Sequence, residues 1–295
     1  MAIKSVQFRL NGQTYDLTYD NTAQAYKATI TAPSQSSYGQ NDDHKYHGEV
    51  IATDTANNSV TATVADFPGL GLRVVEQVKP NISVTYPAAN AYISNNKPVI
   101  RWTVQDTGSG VDASTIGLVI DNGTAITDGI VKTAVANGFS CEYTPTSALR
   151  EGAHSLIFSV SDNDGNAAEE VNVTFKVDTV PPTLNVTKPA DSFITNNPEL
   201  TVMGTTNDEG SSPVTVEVNG ESVMVNADGS FSTTVELTEG ENTVTVVATD
   251  GVGKSTTLVR KVTLDTVPPK ITSVSLTPNP VDAGQTYVVT VEVEK

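Results

Sequence analysis

The 295-residue sequence lacks several things, and each shortage removes a class of protein. It has one cysteine, Cys141, so no disulfide can form within the chain and a cysteine-stapled scaffold is excluded. Aromatic residues make up 6% of the chain and charged residues 17%, and Leu and Lys are scarce. No apolar run reaches the length of a membrane span. The N-terminus, MAIKSVQFRLNGQTYDLTYD, enters β-type alternation at once, with no apolar stretch of signal-peptide length. The expectation is a protein that bypasses the general secretion route, or one whose signal lies outside this sequence. Basic residues are outnumbered, 17 Lys and Arg against 34 Asp and Glu, for a net charge of −17. Such a chain is repelled by nucleic-acid phosphates and by anionic lipid, so neither nucleic acid nor a membrane is expected as partner. The acidity is read as a solubility device, with cation binding as the alternative. No segment has the pattern of an amphipathic helix, no serine sits in a nucleophile elbow, and no Gly-rich loop precedes a helix.

What the sequence does have is Thr, Val, Asn, Ser, Gly and Asp, the mix of a β protein with many turns. It also repeats itself. PNISVTYPAANAYISNNKPVI (80–100) and PTLNVTKPADSFITNNPEL (182–200) are two versions of one phrase, each following a junction, EQVKP at 76–80 or DTVPP at 178–182. A second DTVPP, at 265–269, opens ITSVSLTPNPV. A period of roughly 90–100 residues is that of a small domain rather than of a solenoid repeat. The expected plan is therefore a short domain at 1–77, domains at 78–179 and 180–267, and at 268–295 the first two strands of an incomplete fourth. Two strands do not make a stable sandwich in water, so the tail is expected to be disordered, to pack on a neighbour, or to belong to a longer parent chain. Pro181-Pro182 and Pro268-Pro269 favour extended polyproline geometry at about 3.1 Å per residue. From them the expectation is an extended rod on the order of 100 Å.

Residues 180–267 read most clearly. Seven strand-like runs lie near 183–188, 199–205, 213–218, 221–226, 230–237, 242–249 and 255–264, with turns at Asn219-Gly220, Asp228-Gly229 and Glu239-Gly240. Val244, Val246 and Ala248 alternate with Thr243, Thr245 and Thr249, one face inward and one in water. In 78–179, strands are expected near 81–86, 98–104, 114–121, 138–144, 153–161 and 168–177. LREGAHSL (149–156) aligns with LTEGENTV (237–244), and SVSDNDGNAA (159–168) matches VATDGVGKST (247–256) in role. Ile51-Ala52-Thr53-Asp54 repeats Val247-Ala248-Thr249-Asp250 in the first segment. The fold class is all-β: tandem immunoglobulin-like antiparallel sandwiches.

With these motifs in hand, the chain resembles bacterial Ig-like domain proteins. FITNNPELTVMGTT, VEVNGESVMVNADGSFSTTVELTEGENTVTVVATD and the closing DTVPP are similar to Ig-like modules attached to secreted carbohydrate enzymes, and WTVQDTGSGVDASTIGLVID resembles a second type. Such modules recur in adhesins, wall proteins, hydrolases and phage particles. No catalytic domain, signal or wall-anchoring motif accompanies them in this sequence. The resemblance therefore implies a non-enzymatic structural, spacer or adhesive component of a phage or phage-tail-like particle, located on the virion, with other protein subunits as partners. The alternatives are a carbohydrate-binding or cell-surface adhesion module, extracellular and with cell-wall polysaccharide as partner, and an accessory region of a secreted glycoside hydrolase.

No catalytic, cofactor-binding or metal residue is assigned from the sequence, and no cofactor is expected. The candidates weighed are few. His44 and His47, beside Asp42 and Asp43, form an H-x-x-H that a zinc ion could use. His154 occupies the slot of Asn242 and reads as a strand-start residue. Cys141 alternates with Phe139 and Tyr143 on one strand face and reads as a buried thiol. Trp102 is expected in the core, with a sugar-stacking platform as the sharper alternative. Acidic residues at strand ends read as turn chemistry. The minority reading is calcium, at Asp162-Asn163-Asp164-Gly165-Asn166, which lacks the twelfth-position glutamate of an EF-hand, or at the junction residues Asp178 and Asp265. The irregular stretch 34–47 is the candidate contact surface.

Overall fold

A computed structural model describes residues 2–294. The chain divides into two compact units, Met1–Asp178 and Thr179–Lys295. Among the described residues there is one 3₁₀ turn, Pro68–Leu70, no α-helix, and hence no helix long and apolar enough to cross a membrane.

The first unit opens with β1 (Ile3–Leu10), β2 (Gln13–Asp20), β3 (Ala25–Lys27), β4 (Tyr46–His47), β5 (Glu49–Asp54), β6 (Ser59–Ala62) and β7 (Gly71–Leu72). Five of these make one sheet in the order β3-β2-β1-β5-β6, and β4 pairs with β7. Val6, Leu10 and Tyr46 are its buried hydrophobic residues.

The unit continues with β8 (Asn81–Tyr86), β9 (Tyr92–Ile93), β10 (Ile100–Gln105), β11 (Gly117–Ile120), β12 (Val131–Val135), β13 (Gly138–Tyr143), β14 (Gly152–Ser159) and β15 (Val171–Val177). They form two four-stranded sheets, β12-β13-β10-β8 and β11-β14-β15-β9. Alternate residues of both sheets bury one core, with Trp102 and Phe158 at its centre, ring centroids 5.1 Å apart. Trp102 is fully buried, which excludes the sugar-stacking alternative. The edge strand β12 was not among the expected strands: four of its five residues are exposed or bear no apolar alternation, so nothing in VKTAV marks a face.

The second unit holds β16 (Thr183–Lys188), β17 (Phe193–Thr195), β18 (Glu199–Asn207), β19 (Thr215–Val218), β20 (Glu221–Val223), β21 (Ser230–Glu236), β22 (Gly240–Thr249) and β23 (Ser255–Leu264). Sheets β16-β18-β21 and β17-β23-β22-β19-β20 enclose a core that includes Val202, Val216, Phe231, Val246 and Val262. All seven expected runs form strands. Asn219 and Gly220, at φ 51° and 84°, make the β19–β20 turn, the geometry in which both central residues need positive φ.

The repeated phrase holds a correction. It supplies the expected runs near 81–86 and 98–104, or 183–188 and 199–205, but is not antiparallel throughout. Between them, β9 and β17 cross to the opposite sheet and pair in parallel with its last strand, Tyr92 with Lys176 and Phe193 with Val262. The [YF]I[ST] element is thus a strand switch. Two or three residues are too few to show a periodicity, and their partner lies some 70–85 residues away in sequence, at Lys176 or Val262.

In the tail, β24 (Lys270–Thr277) and β25 (Val288–Glu294) pair antiparallel around the PNPVDAG turn, and every residue of both is exposed. The tail is thus a two-stranded ribbon, matching the two strands expected there.

Candidate functional site

One device recurs at the strand ends. A single carboxylate oxygen accepts two backbone amides, from the residues two and four positions on, which closes a tight turn without a second strand residue. Asp54 Oδ1 takes the amides of Ala56 and Asn58 at 2.8 and 2.9 Å. Asp106 Oδ2 takes those of Gly108 and Gly110 at 2.9 and 2.7 Å. Asp162 Oδ1 takes those of Asp164 and Asn166 at 2.9 and 2.8 Å. Asp250 Oδ1 takes those of Val252 and Lys254 at 2.9 and 2.8 Å. The turn reading of the strand-end acids therefore holds at the geometric level.

The second oxygen separates these sites. Asp54 Oδ2 and Asp162 Oδ2 each accept the side-chain amide of an asparagine four residues on, Asn58 at 2.9 Å and Asn166 at 2.7 Å. Asp106 Oδ1 and Asp250 Oδ2 are buried and have no hydrogen-bond partner among the described residues.

Around Asp162 a cluster forms. Glu76, on the segment between β7 and β8, Asp106, just past β10, and Asp162, in the β14–β15 hairpin, each bring a carboxylate oxygen within 4.8 Å of the others. Asp106 is 5% exposed and Asp162 2%. The Glu76 segment is fixed by main-chain bonds: its amide donates to Asp164 Oδ2 at 3.1 Å, and its carbonyl accepts Asn166 Nδ2 at 3.1 Å. Glu76 Oε1 also accepts Asn166 Nδ2 at 3.3 Å and Ser109 Oγ at 3.4 Å, and Oε2 accepts the Val78 amide. Arg73 pairs with Asp164 at 3.2 Å, beside the cluster. Among the described residues no Lys, Arg or His pairs with Glu76, Asp106 or Asp162. Burial pushes the Glu76 carboxyl up; the Val78 amide opposes this, and Asp162 and Asp106 push it further up. At Asp162 burial also acts upward, but the Asn166 side chain and amide, with Glu76 and the Asp164 amide, outweigh it and hold the carboxyl low.

The calcium alternative placed Asp162 in this cluster but missed Glu76 and Asp106. A signal for both was present in the repeat. Asp106-Thr-Gly and Asp208-Glu-Gly stand at the same strand end, and Glu76 and Asp178 each stand four residues before a junction proline, Pro80 or Pro182. Asp178 is buried, with its amide bonded to Ile93 O at 2.9 Å. Asp265 caps the Val267 amide at 3.2 Å and belongs to no group of three metal-ligating side chains among the described residues.

The other candidates serve the framework. His44, at φ 57°, stacks on Tyr38 at 4.0 Å and its Nδ1 meets Tyr38 O, whereas His47 Nε2 meets Asp43 Oδ1 at 3.0 Å. The two imidazoles are committed to different partners, and neither joins a group of three metal-ligating side chains among the described residues. Asp42 is exposed. The 34–47 stretch is pinned by Ser37, whose Oγ donates to His44 O at 2.7 Å and accepts the Val74 amide at 3.0 Å. His154 lies in β14, its Nε2 against Arg150 O at 2.7 Å and its Nδ1 against Asp121 Oδ2 at 2.6 Å. Asn242 makes the matching bond to Thr238 O at 2.7 Å, so both side chains bind the carbonyl four residues back. Cys141 lies opposite Trp102 in the β10–β13 register and is fully buried; burial pushes its thiol up to about 11.

Two stretches match known families. Residues 86–179 match the family described as bacterial Ig-like domain, and residues 182–266 the one described as glucodextranase, domain B. Over 109 residues the chain is 35% identical to Bacillopeptidase F of Bacillus subtilis (strain 168), a match that takes in 37% of this chain and 7% of that protein. Similar solved structures include the fibronectin(III)-like modules of Clostridium thermocellum CbhA, with TM-score 0.38, 19% identity, and coverage of 63% of this chain and 94% of that one. A three-domain Ig segment of titin gives TM-score 0.41 and 14% identity, and covers 89% of this chain and 88% of that one. The two-sheet modules and the family matches that fall on them show Ig-like modules in tandem over residues 86–266, the first of them matched by the bacterial Ig-like family.

Proposed function

We propose that the chain is a non-enzymatic structural or adhesive protein whose Ig-like modules space or display surfaces on a particle or cell-surface assembly, a phage or phage-tail-like particle in the first instance. The observation that carries this reading is where the reactive side chains are spent. His44, His47 and His154 hold loops and a strand start, and Cys141 and Trp102 fill a core. Its partners would be other subunits of the assembly. Antibody labelling of purified particles in the electron microscope tests this: label on the particle supports it, and its consistent absence from particles made by cells that express the chain overturns it.

A second reading is favoured by the match of residues 182–266 to a domain named for a carbohydrate-acting enzyme. In it the modules accompany such an enzyme or bind polysaccharide themselves. Saturable retention on polysaccharide or host cell wall, lost on deletion of 34–47, would support an adhesive tip in the first segment.

A further inference from the structure

We propose that Glu76, Asp106 and Asp162 form a binding site for a divalent cation, and that calcium is the ion it takes. Three carboxylate oxygens from separate segments lie within 4.8 Å of one another. Oxygens sharing one calcium ion at 2.3–2.6 Å are at most about 5 Å apart, so the spacing fits without rearrangement. An independent observation points the same way. Asp106 Oδ1 is buried with no hydrogen-bond partner among the described residues, on a residue 95% withdrawn from solvent. A buried carboxylate oxygen is costly to leave unmatched, and at Asp54 and Asp162 the equivalent oxygen is matched by an asparagine. Asp106 has no such asparagine and faces two further acids. The donors that reach these acids, the Asn166 side chain, the Ser109 hydroxyl and backbone amides, are all neutral, and among the described residues no cationic side chain pairs with the three carboxylates.

The donor set selects the ion. All three ligands are hard oxygens, with no His or Cys in the group, which disfavours zinc. Magnesium requires near-octahedral order and sheds water reluctantly, whereas calcium accepts irregular sets of six to eight oxygens, with water completing the shell. The bound ion would clamp the 73–80 segment onto the strand end at 106–110 and the hairpin at 162–166. This inference stands apart from the spacer reading and holds whether or not that reading does.

The test uses the full chain, freed of metal with chelator and titrated calorimetrically with calcium chloride and, separately, magnesium chloride. Thermal unfolding is followed in parallel. Saturable calcium binding is expected, with a rise in Tm of about 10 °C when calcium reaches a hundredfold excess over Kd, and a weaker response to magnesium. Glu76→Gln, on a segment outside the sheets, and Asp106→Asn should each abolish the heat and the Tm rise, while Asp54→Asn should leave both intact. If Asp106→Asn fails to fold, Glu76→Gln alone decides. Absence of binding by the unaltered chain up to about 10 mM calcium overturns the proposal. So does a response that survives Glu76→Gln or is lost in Asp54→Asn.

Discussion

The hairpins after β5 and β14 are built from the same parts. Each ends a strand on an aspartate, Asp54 or Asp162, that takes two amides on one oxygen and an asparagine side chain on the other. Their settings differ. Asp54 belongs to a region with three buried hydrophobic residues and joins no group of three metal-ligating side chains among the described residues. Asp162 closes a two-sheet module with a continuous core and is met by Glu76 and Asp106. Turn chemistry accounts for each aspartate alone. It does not account for the two acids brought to Asp162, and that difference separates a structural cap from a candidate ligand set.

The largest effect that sharpens this comparison concerns the cores. Trp102→Ala should cost about 3–5 kcal/mol, because the space between two closed sheets does not collapse around the loss. Leu10→Ala, in the β3-β2-β1-β5-β6 sheet, should cost about 2 kcal/mol, at the low end for such a truncation, since the surroundings are less confining. Chemical denaturation of the two variants checks the order, and equal losses would break this side of the comparison.

The caps come next. Asp162→Ala removes three hydrogen bonds to a charged group and should cost about 2 kcal/mol in calcium-free buffer, with a larger loss relative to the unaltered chain when calcium is present. Asp54→Ala should lower Tm by the same amount with and without calcium. Thermal melts in chelator and in calcium distinguish the two.

A smaller effect is acid sensitivity. The Asn58 side chain and amide hold the Asp54 carboxyl below its ordinary value of 3.8. A depressed folded-state value means that Asp54 adds stability above the unfolded-state value, and that this is lost as pH falls through the folded-state value. Asp54→Asn should therefore flatten the decline in Tm below about pH 4. A decline identical to that of the unaltered chain would remove Asp54 as a contributor.

The smallest effect concerns Cys141. With its thiol pushed up to about 11, only about one part in a thousand is thiolate at pH 8, and the site is closed. Alkylation at pH 8 should be undetectable in the folded chain and complete in denaturant, as mass spectrometry would show.

The module framework was largely legible in the sequence. The runs at 183–188 and 255–264 are the observed strands, the Asn219-Gly220 turn has the expected positive φ, and His154 does the work of Asn242. These features are local, set by alternation and turn chemistry. What escaped depends on distant partners. The strand switches at Tyr92–Ile93 and Phe193–Thr195 exist only because the last strand of the opposite sheet is there to receive them. The repeat marks Glu76 and Asp106 by position, before a junction proline and at a strand end, but that folding sets them against Asp162 is not written in either stretch. Asp162 itself stood out because Asp162, Asn163, Asp164 and Asn166 lie together in one short loop.

The most direct test of the central claim is an amide nuclear magnetic resonance titration of the metal-free chain with calcium. The account predicts saturable shifts concentrated at residues 76–78, 106–110 and 162–166, with the hairpin at 54–58 unmoved. Shifts centred on 54–58, or a spectrum that does not change, would show that the two aspartates are the same kind of cap and that the cluster at Asp162 binds no ion.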